Sequence, residues 1–200
     1  MPGREPNWDP ASGLLPAIVQ DADSGRVLMM AWFNEESLKK TKDSGDVTFF
    51  SRSKKRLWTK GEESGNHLKL VSITLDCDQD AFLVLARPLG PACHEGTRTC
   101  FEPEPPLPIA FISDLEKKIE SRFRDRPEGS YISKLMERGI DRMAQKVGEE
   151  AVEVVIASKG EDRDALTGEA ADLLFHLMVL LRAKGISLGE VASALLKRAK

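Results

Sequence analysis

The chain is divided by a proline-rich stretch, FEPEPPLPIAF at residues 101–111, in which four prolines fall between Pro103 and Pro108. Because proline fixes φ and has no backbone N–H, neither a helix nor a central strand is expected to run through this stretch. We interpret it as a semi-rigid linker. With 200 residues in total, the chain has room for two domains of about 100 residues each. We assign them to residues 1–112, with the linker at the end, and to residues 113–200.

Before the linker, short runs of β-branched and aromatic residues alternate with turn signals. Residues 15–20 and 26–33 flank the sequence DADSG and predict a hairpin. Asn34 is placed to cap a short helix over EESLKKTKD, which Gly45 would end. Further strand-like runs are found at residues 47–52, 68–76 and 81–86. These patterns predict a mostly antiparallel β domain of the α+β class with one or two helices.

After the linker, the apolar residues repeat with the period of a helix. Ser113 precedes DLEKKIESRFRDR, and Glu116 lies three residues later, as in a capping box. A second helical region is predicted at residues 131–138 and 140–158, with a break at Gly139. Two further helices are predicted at residues 163–184 and 188–199. The chain is therefore expected to be multidomain, with an all-α helical bundle following the β domain.

The charges of the chain are nearly balanced, because the formal net charge is only −3. This excludes a strong basic field, so we expect neither nucleic acid nor a membrane as a partner, and any phosphate recognition must be local. The longest apolar run, residues 173–181, contains His176 and is much shorter than the roughly 20 residues of a membrane span. The N-terminal sequence MPGREPNWDP has no apolar signal core, which predicts a cytoplasmic location.

Three cysteines, Cys77, Cys93 and Cys100, are the candidate metal ligands of the first domain. Their odd number, without a secretion signal, argues against a disulfide framework. Three thiolates without an obvious fourth protein ligand match a catalytic Zn²⁺, which keeps one position open for a water and lowers its pKa to about 7. His94, next to Cys93, is a candidate general acid or base. The alternative is three buried cysteines that act as small hydrophobes, but their acidic and polar neighbours do not suggest an apolar core.

Cys77 lies within an acidic run, Asp76-Cys77-Asp78-Gln79-Asp80. If this run is extended, the two-residue period of a strand sends Asp76, Asp78 and Asp80 to one side and the cysteine to the other. Three carboxylates on one side repel each other unless a hard cation neutralises them, and Mg²⁺ prefers oxygen ligands. A solvated acidic strand end is the alternative.

A basic stretch with hydroxyl groups, SRSKKRLWTKG at residues 51–61, is followed by EESGN. Arginine and serine side chains together with loop amides can hold a phosphate monoester, and a tryptophan can stack on a base. The candidate substrate-binding residues are Ser51, Arg52, Ser53, Trp58, Lys60, Ser64 and Asn66. A basic surface loop around a core tryptophan is the alternative.

Together these segments resemble phosphoribosyl-AMP cyclohydrolase, the histidine-pathway enzyme that opens an adenine ring between N1 and C6. The matching stretches are VLMMAWFNEESLKKT, SRSKKRLWTKGEESGN, DCDQD and GPACHEGTRTCF. The resemblance implies that the three cysteines bind Zn²⁺ and that the three aspartates of the acidic run bind Mg²⁺. It also implies a homodimer in which both subunits contribute zinc ligands. Phe50 departs from the family pattern, where a tyrosine is expected, as does Phe33, where a methionine is expected.

In the second domain, the helical period gathers Arg142, Lys146, Glu149 and Glu153 on one stripe, and Glu150 lies at its edge. Carboxylates and cations on one stripe can bind a metal pyrophosphate. An exposed face of ion pairs is the alternative and the more usual meaning of such a stripe.

The following helix carries Glu169, Asp172 and His176 on one stripe, and Asp172 is followed by LLFHLMVLL, which is apolar nearly all round. Such a helix is expected to be buried, and buried carboxylates need a metal or a cationic partner. Two antiparallel helices would bring both sets of carboxylates together around Mg²⁺, the ion that typically joins carboxylates to phosphates.

With RPEGSYISKL, KVGEEAVEVVIA and EAADLLFHLMVLL, the second domain resembles phosphoribosyl-ATP pyrophosphohydrolase, a member of the all-α nucleoside triphosphate pyrophosphatase group. The resemblance implies that water attacks between the α and β phosphates while Mg²⁺ is held by Glu149, Glu150, Glu153, Glu169 and Asp172. We take Glu153 as the catalytic carboxylate. Helical geometry, rather than the resemblance, assigns Arg142 and Lys146 to phosphate contacts.

The sequence therefore predicts a bifunctional hydrolase of histidine biosynthesis whose substrates are small phosphoribosyl nucleotides. One rival is a zinc deaminase fused to a general pyrophosphatase, but the H-x-E and C-x-x-C motifs of deaminases are absent. A second rival is a zinc-stabilised nucleotide-binding protein with a helical dimerisation module. A closed zinc site of that kind needs a fourth ligand, which a dimer would have to supply.

Overall fold

A computed structural model describes residues 5–102 and 108–199 of the protein. Most of the predicted linker, residues 103–107, lies outside the described residues. The chain divides into two compact units on either side of the bond between Ala110 and Phe111. Each unit has its own hydrophobic core.

The first unit contains a four-stranded sheet, a separate two-stranded hairpin and, among its described residues, one helix before Pro108. In chain order its elements are β1 (Leu15–Asp21), β2 (Val27–Phe33), α1 (Glu35–Ser44), β3 (Thr48–Ser51), β4 (Arg56–Thr59), β5 (Leu68–Leu75) and β6 (Phe82–Pro88). The strand order in the sheet is β2-β1-β6-β5, and neighbours are antiparallel except for β1 and β6, which run parallel. The prediction of a mostly antiparallel α+β domain is confirmed.

The first hairpin and helix α1 form where their local sequence signals predict. The carboxylate of Asp21 accepts a hydrogen bond from the backbone N–H of Asp23 in the turn between β1 and β2. Asn34 and Ser37 each accept the other's backbone N–H in a capping box at the start of α1. Gly45 ends the helix with φ at 74°, a left-handed conformation that glycine adopts without a steric penalty.

Strand β4 is an element that the sequence patterns did not indicate. It pairs with β3 in an antiparallel hairpin whose turn is formed by residues 52–55. The hydroxyl oxygens of Thr48 and Thr59 lie 2.9 Å apart across the pair, and the ring centroids of Phe49 and Trp58 are 5.5 Å apart. The basic stretch is therefore a strand and a turn held against the core by Trp58.

Three phenylalanines form the centre of the first core. The rings of Phe33 and Phe49 stack with centroids 5.5 Å apart, and Phe33 meets the edge of Phe82 at 5.4 Å. The other face of the sheet is less covered, because Ile18 and Met30, which are partners on β1 and β2, are 41% and 47% exposed. One face of the sheet is thus buried within the chain, while the other remains open and partly apolar.

The second unit is helical throughout its described elements, as predicted. Its helices are α2 (Pro108–Asp125), α3 (Tyr131–Glu137), α4 (Gly139–Ala157), α5 (Arg163–Ala183) and α6 (Leu188–Arg198). Helices α4 and α5 pack antiparallel, because Ile140 lies near Arg182 at one end and Glu150 lies near Asp172 further along. Among the described residues, no helix combines the length and the apolar character that a membrane span requires.

The predicted start of the first helix of this unit is wrong. Helix α2 begins at Pro108, so Ser113 lies inside the helix and does not cap it. Proline is well tolerated in a first turn, where its missing N–H would have had no helical partner. Glu116 instead accepts the backbone N–H of Leu188 at 2.5 Å, next to the capping box that Ser187 forms at the start of α6.

Helix α5 is less buried than its apolar sequence predicts. His176, Met178 and Val179 are buried, but the neighbouring apolar side chains of the LLFHLMVLL run are only partly covered. On α4, Val155 and Ile156 are 58% and 66% exposed. The helical unit therefore leaves part of its apolar surface uncovered by its own chain.

Candidate functional site

Two of the three predicted zinc ligands lie together in the loop that follows β6. The backbone N–H of Cys93 donates to the carbonyl of Thr97 at 3.1 Å, and the N–H of Cys100 donates to the carbonyl of Leu28 at 2.8 Å. These bonds anchor the loop to itself and to β2. The thiol groups of Cys93 and Cys100 are within hydrogen-bonding reach of each other.

The two thiols differ in their electrostatics. A hydrogen bond from the backbone N–H of Glu95 and a second from the Thr97 side chain lower the pKa of the Cys93 thiol. Desolvation of the sulfur and the neighbouring Cys93 raise the pKa of the Cys100 thiol, although the residue as a whole is exposed. Cys93 is thus the group that is more readily converted to the thiolate form that binds metals.

Cys77 lies apart from this pair in the same chain. It is exposed in the turn between β5 and β6, where its sulfur lies 3.9 Å from a carboxylate oxygen of Asp78. Within the part of the chain that the structure describes, the three cysteines do not form one cluster of metal-ligand spacing. One chain therefore offers two thiols at one place and the third at another.

Cys93 borders a cleft of about 510 Å³ that contains most of the predicted substrate-binding residues of this unit. Cys93 and His94 lie in its wall, and the Cys93 sulfur is 3.8 Å from Nδ1 of His94. Five of the predicted residues line it: Ser51, Trp58, Lys60, Ser64 and Asn66. The cleft combines an aromatic ring, a buried lysine and hydroxyl groups with the thiol of Cys93.

Arg52 and Ser53 are not among the residues that line this cleft. They lie in the β3–β4 turn, and the guanidinium of Arg52 lies over the Trp32 ring at 4.5 Å. Lys54 and Arg56, from the same basic run, do line the cleft, although they were not singled out from the sequence. The basic run does border the cleft, and the β3–β4 hairpin decides which of its cations line it.

Two glycines that the sequence did not single out shape the position of Asn66. A methyl group on Gly90 would lie 2.2 Å from Oδ1 of Asn66, and one on Gly61 would lie 2.5 Å from the Asn66 carbonyl carbon. Gly61 also has φ at 86°, which side chains rarely adopt. The Asn66 side-chain amide can lie against Gly90, and the Asn66 backbone against Gly61, only because both positions lack a side chain.

The acidic run does bring its carboxylates together, but not by the alternation of an extended strand. Residues 77–80 form a bend, and Gln79 has φ at 71°. Oδ1 of Asp76 accepts the backbone N–H of Asp80 at 3.0 Å, which closes the turn. Oxygens of Asp76, Asp78 and Asp80 lie within 4.8 Å of one another. The charges of Asp78 and then Asp76, together with desolvation, raise the pKa of Asp80.

A second group of carboxylates lies between α4 and α5. Oxygens of Glu150, Glu169 and Asp172 lie within 4.8 Å of one another. Glu150 is only 4% exposed, and Nζ of Lys146 lies 2.5 Å from its Oε1. The hydrogen bond from Lys146 lowers the pKa of Glu150, whereas the hydrogen bond and the charge of Glu150 raise the pKa of Glu153. Carboxylates this close favour a bound cation.

Glu149 is not one of the three carboxylates whose oxygens converge. Its carboxylate pairs with Arg142 at 2.9 Å and with Lys146 at 3.0 Å, as the predicted stripe suggested. The hydrogen bonds that Lys146 donates to Glu150 and Glu149 raise the pKa of Lys146. The two cations proposed for phosphate contacts are therefore held by carboxylates next to the acidic group.

Comparison with known families gives one match in each half of the chain. Residues 29–102 match the model of phosphoribosyl-AMP cyclohydrolase, and residues 112–199 match the model of phosphoribosyl-ATP pyrophosphohydrolase. The first range contains the cysteine pair, Cys77 and the cleft. The second contains the carboxylates of α4 and α5.

Curated relatives match the chain over almost its whole length. A protein named histidine biosynthesis bifunctional protein HisIE from Xanthomonas axonopodis pv. citri (strain 306) is 56% identical, over 96% of this chain and 92% of the relative. A protein of the same name from Escherichia coli (strain K12) is 52% identical, over 98% of this chain and 96% of the relative. A third, from Vibrio vulnificus (strain CMCP6), is 48% identical, over 97% and 93%.

Proposed function

The chain belongs to the family of bifunctional histidine-biosynthesis proteins, and from this membership we propose that it catalyses two consecutive hydrolytic reactions. The helical unit cleaves phosphoribosyl-ATP into phosphoribosyl-AMP and pyrophosphate. The β unit opens the adenine ring of phosphoribosyl-AMP between N1 and C6. The observation that carries the proposal is the presence of one cluster of fitting chemistry in each unit: thiols beside a cleft, and carboxylates between two helices.

The donor atoms of the β unit fit Zn²⁺. Thiolates are soft ligands that select zinc, and Cys93 and Cys100 already lie side by side. When bound with an open position, zinc supplies a water whose pKa is near 7. His94 lies next to the Cys93 sulfur, where it would take a proton from the attacking water and give one to the leaving ring nitrogen.

The remaining residues of the cleft hold the nucleotide. Trp58 offers a face for stacking on the purine, since base stacking on an aromatic ring is worth about 1–3 kcal/mol. Lys60 and Ser51, with Ser64 and Asn66, provide donors for the ribosyl phosphate. Arg52 and Ser53, in the adjacent turn, are proposed to reach the phosphate from the rim.

We propose a homodimer in which each zinc site takes Cys93 and Cys100 from one subunit and Cys77 from the other. The separation of Cys77 from the cysteine pair within one chain supports this arrangement. The partly exposed Ile18 and Met30 on the open face of the sheet are compatible with a subunit contact.

Hard oxygen donors fit Mg²⁺ in both units. In the β unit, Asp76, Asp78 and Asp80 would hold the ion near the turn that also carries Cys77. In the helical unit, the ion-binding set is Glu149, Glu150, Glu153, Glu169 and Asp172, of which Glu150, Glu169 and Asp172 already converge. When bound, Mg²⁺ neutralises the phosphates and joins them to the carboxylates.

In the helical unit, the protein's own groups then position the phosphate chain and the water. Glu153, whose pKa is raised by its neighbour Glu150, accepts a proton from the attacking water. Arg142 and Lys146 lie next to the carboxylates and contact the phosphates. Both cations exchange part of their contact with Glu149 for the phosphate oxygens.

The direct test is incubation of the intact protein with phosphoribosyl-ATP and Mg²⁺. Pyrophosphate and the ring-opened ribonucleotide are expected as products, measured by a coupled phosphate assay and by chromatography. Absence of both products, with protein that retains its metals, would overturn the proposal.

Replacement of Gly90 by alanine is expected to lower ring opening by about 10- to 100-fold, because the added methyl group displaces Asn66 from the cleft. Pyrophosphate release should not change. The assay uses added phosphoribosyl-AMP, so that the first reaction does not limit the second. Gly189→Ala, where a methyl group meets nothing closer than 3.8 Å, is the matched control. Full ring-opening activity of Gly90→Ala would contradict the role given to Asn66.

A further inference from the structure

His176 of the helical unit lies next to the converging carboxylates Glu150, Glu169 and Asp172, and Tyr131 contacts His176. Neither residue is one of the proposed metal ligands. His176 is 7% exposed on α5, one turn after Asp172. Tyr131 is the first residue of α3. Both lie in the sequence stretches by which the second domain was recognised, yet the proposed reaction uses neither.

Both ring nitrogens of His176 are engaged. Nδ1 lies 2.9 Å from the carbonyl oxygen of Asp172, and Nε2 lies 2.9 Å from the hydroxyl oxygen of Tyr131. A carbonyl oxygen only accepts hydrogen bonds, so Nδ1 carries the hydrogen, while Nε2 and the Tyr131 hydroxyl share a second hydrogen bond. Oε1 of Glu150 lies 3.6 Å from the same Nδ1. His176 thus contacts the backbone of one proposed ligand and faces the carboxylate of another.

Aromatic packing fixes the orientation of this pair. The ring of Tyr131 lies 5.8 Å from that of His176 and 6.2 Å from that of Phe175, and the Phe175 and His176 rings are 5.2 Å apart. The Tyr131 backbone is held by the start of α3, where Ser130 caps the helix. The hydroxyl of Tyr131 therefore reaches Nε2 from the capped first turn of α3.

We propose that Tyr131 and His176 are positioning residues that hold Asp172 of α5 against Glu150 of α4, so that the carboxylates converge before the cation binds. This inference rests on the proposed function of the helical unit. Glu150, Glu169 and Asp172 repel one another without a metal, and Lys146 offsets part of this charge at Glu150, 2.5 Å away. The hydrogen bond between Tyr131 of α3 and His176 of α5 opposes that repulsion. Partners that orient metal ligands in this way typically change metal affinity by 10- to 100-fold when removed.

Tyr131→Phe tests the link, because it keeps the ring and removes only the hydroxyl. The metal is Mn²⁺, followed by electron paramagnetic resonance in zinc-loaded protein without substrate. All proteins in this measurement also carry Asp78→Asn and Asp80→Asn, so that Mn²⁺ binding to the aspartates between β5 and β6 does not contribute. We expect Mn²⁺ binding to weaken by about tenfold. The pyrophosphate assay compares Tyr131→Phe with the parent protein, both without the two Asn substitutions. The Mg²⁺ concentration that gives the half-maximal rate should rise by about tenfold in the variant. The rate at saturating Mg²⁺ should stay within about twofold of the parent rate.

Ser121→Ala is the matched control, because it also removes one hydroxyl hydrogen bond in the unit, from Ser121 to the carbonyl of Lys118 on α2. It should bind Mn²⁺ like the parent protein. Unchanged Mn²⁺ affinity in Tyr131→Phe would overturn the inference. A lower melting temperature with unchanged Mn²⁺ affinity would also overturn it, because the hydroxyl would then serve stability alone. Failure of the parent protein to release pyrophosphate would instead overturn the proposed function, and the Mn²⁺ comparison would still decide the role of Tyr131.

Discussion

Replacement of Cys93 by serine is expected to remove bound zinc and to slow ring opening by at least about 100-fold, while pyrophosphate release continues unchanged. Cys93 is buried, and hydrogen bonds from the Glu95 backbone and the Thr97 side chain lower the pKa of its thiol. A serine hydroxyl in the same place is a hard and weakly acidic group, so it cannot replace a soft thiolate ligand. Zinc is measured by atomic emission, and each reaction is assayed with its own substrate.

Mixing two inactive variants tests whether the zinc site is shared between subunits. Cys77→Ser and Cys93→Ser should each lack ring-opening activity alone. In a mixed dimer, one site receives both substitutions and the other keeps all three cysteines. Random exchange makes about half of the dimers mixed, so about one quarter of the wild-type activity should return. If exchange of subunits is verified and no activity returns, the three ligands do not come from two subunits in the proposed way.

Replacement of Glu153 by glutamine is expected to slow pyrophosphate release by at least about 100-fold, while added phosphoribosyl-AMP is still opened at the normal rate. The substitution removes the proton acceptor and one negative charge from the acidic group, where Glu150 raises the pKa of Glu153. Because Glu153 is exposed, the helix should tolerate the change.

Glu161→Gln is the control for this variant. Glu161 is an exposed residue in the loop after α4, so its replacement should affect neither reaction. Loss of both activities in Glu153→Gln would contradict the independence of the two sites. Normal pyrophosphate release in that variant would contradict the assignment of Glu153.

Elements with local signals could be predicted from the sequence. The capping box at Asn34 and the left-handed Gly45 use contacts within a few residues, so their sequence pattern determines them. The start of α2 could not be predicted in the same way. Glu116 has the spacing of a capping residue, but it bonds to Leu188, and that contact between distant residues leaves no trace in the local pattern.

The residue types of the candidate sites could also be predicted, but not their arrangement. Cysteines, aspartates and helical carboxylates carry recognisable metal-binding chemistry wherever they lie. The bend at Gln79, the separation of Cys77 from Cys93 and the close approach of Gly90 to Asn66 depend on how strands and turns pack. The burial of α5 could not be predicted either, because its nearly all-apolar run does not reveal which neighbouring element covers it.

The two reactions are consecutive, which explains why it is useful to have both domains in one chain. Phosphoribosyl-AMP is released by the second unit and consumed by the first, so each chain carries the site that makes the intermediate and the site that uses it. Covalent linkage raises the local concentration of one site near the other. The two sites are proposed to work independently and to differ in their need for zinc, which only ring opening in the β unit requires.

That claim is tested most directly by a time course with phosphoribosyl-ATP and excess Mg²⁺, run with and without a zinc-selective chelator whose removal of zinc is verified by atomic emission. Without the chelator, pyrophosphate and the ring-opened ribonucleotide should be formed together. With it, pyrophosphate release should continue at the same rate while phosphoribosyl-AMP accumulates unopened. Loss of both reactions, or ring opening that persists in zinc-free protein, would contradict the assignment of zinc to the β unit and magnesium to the helical unit.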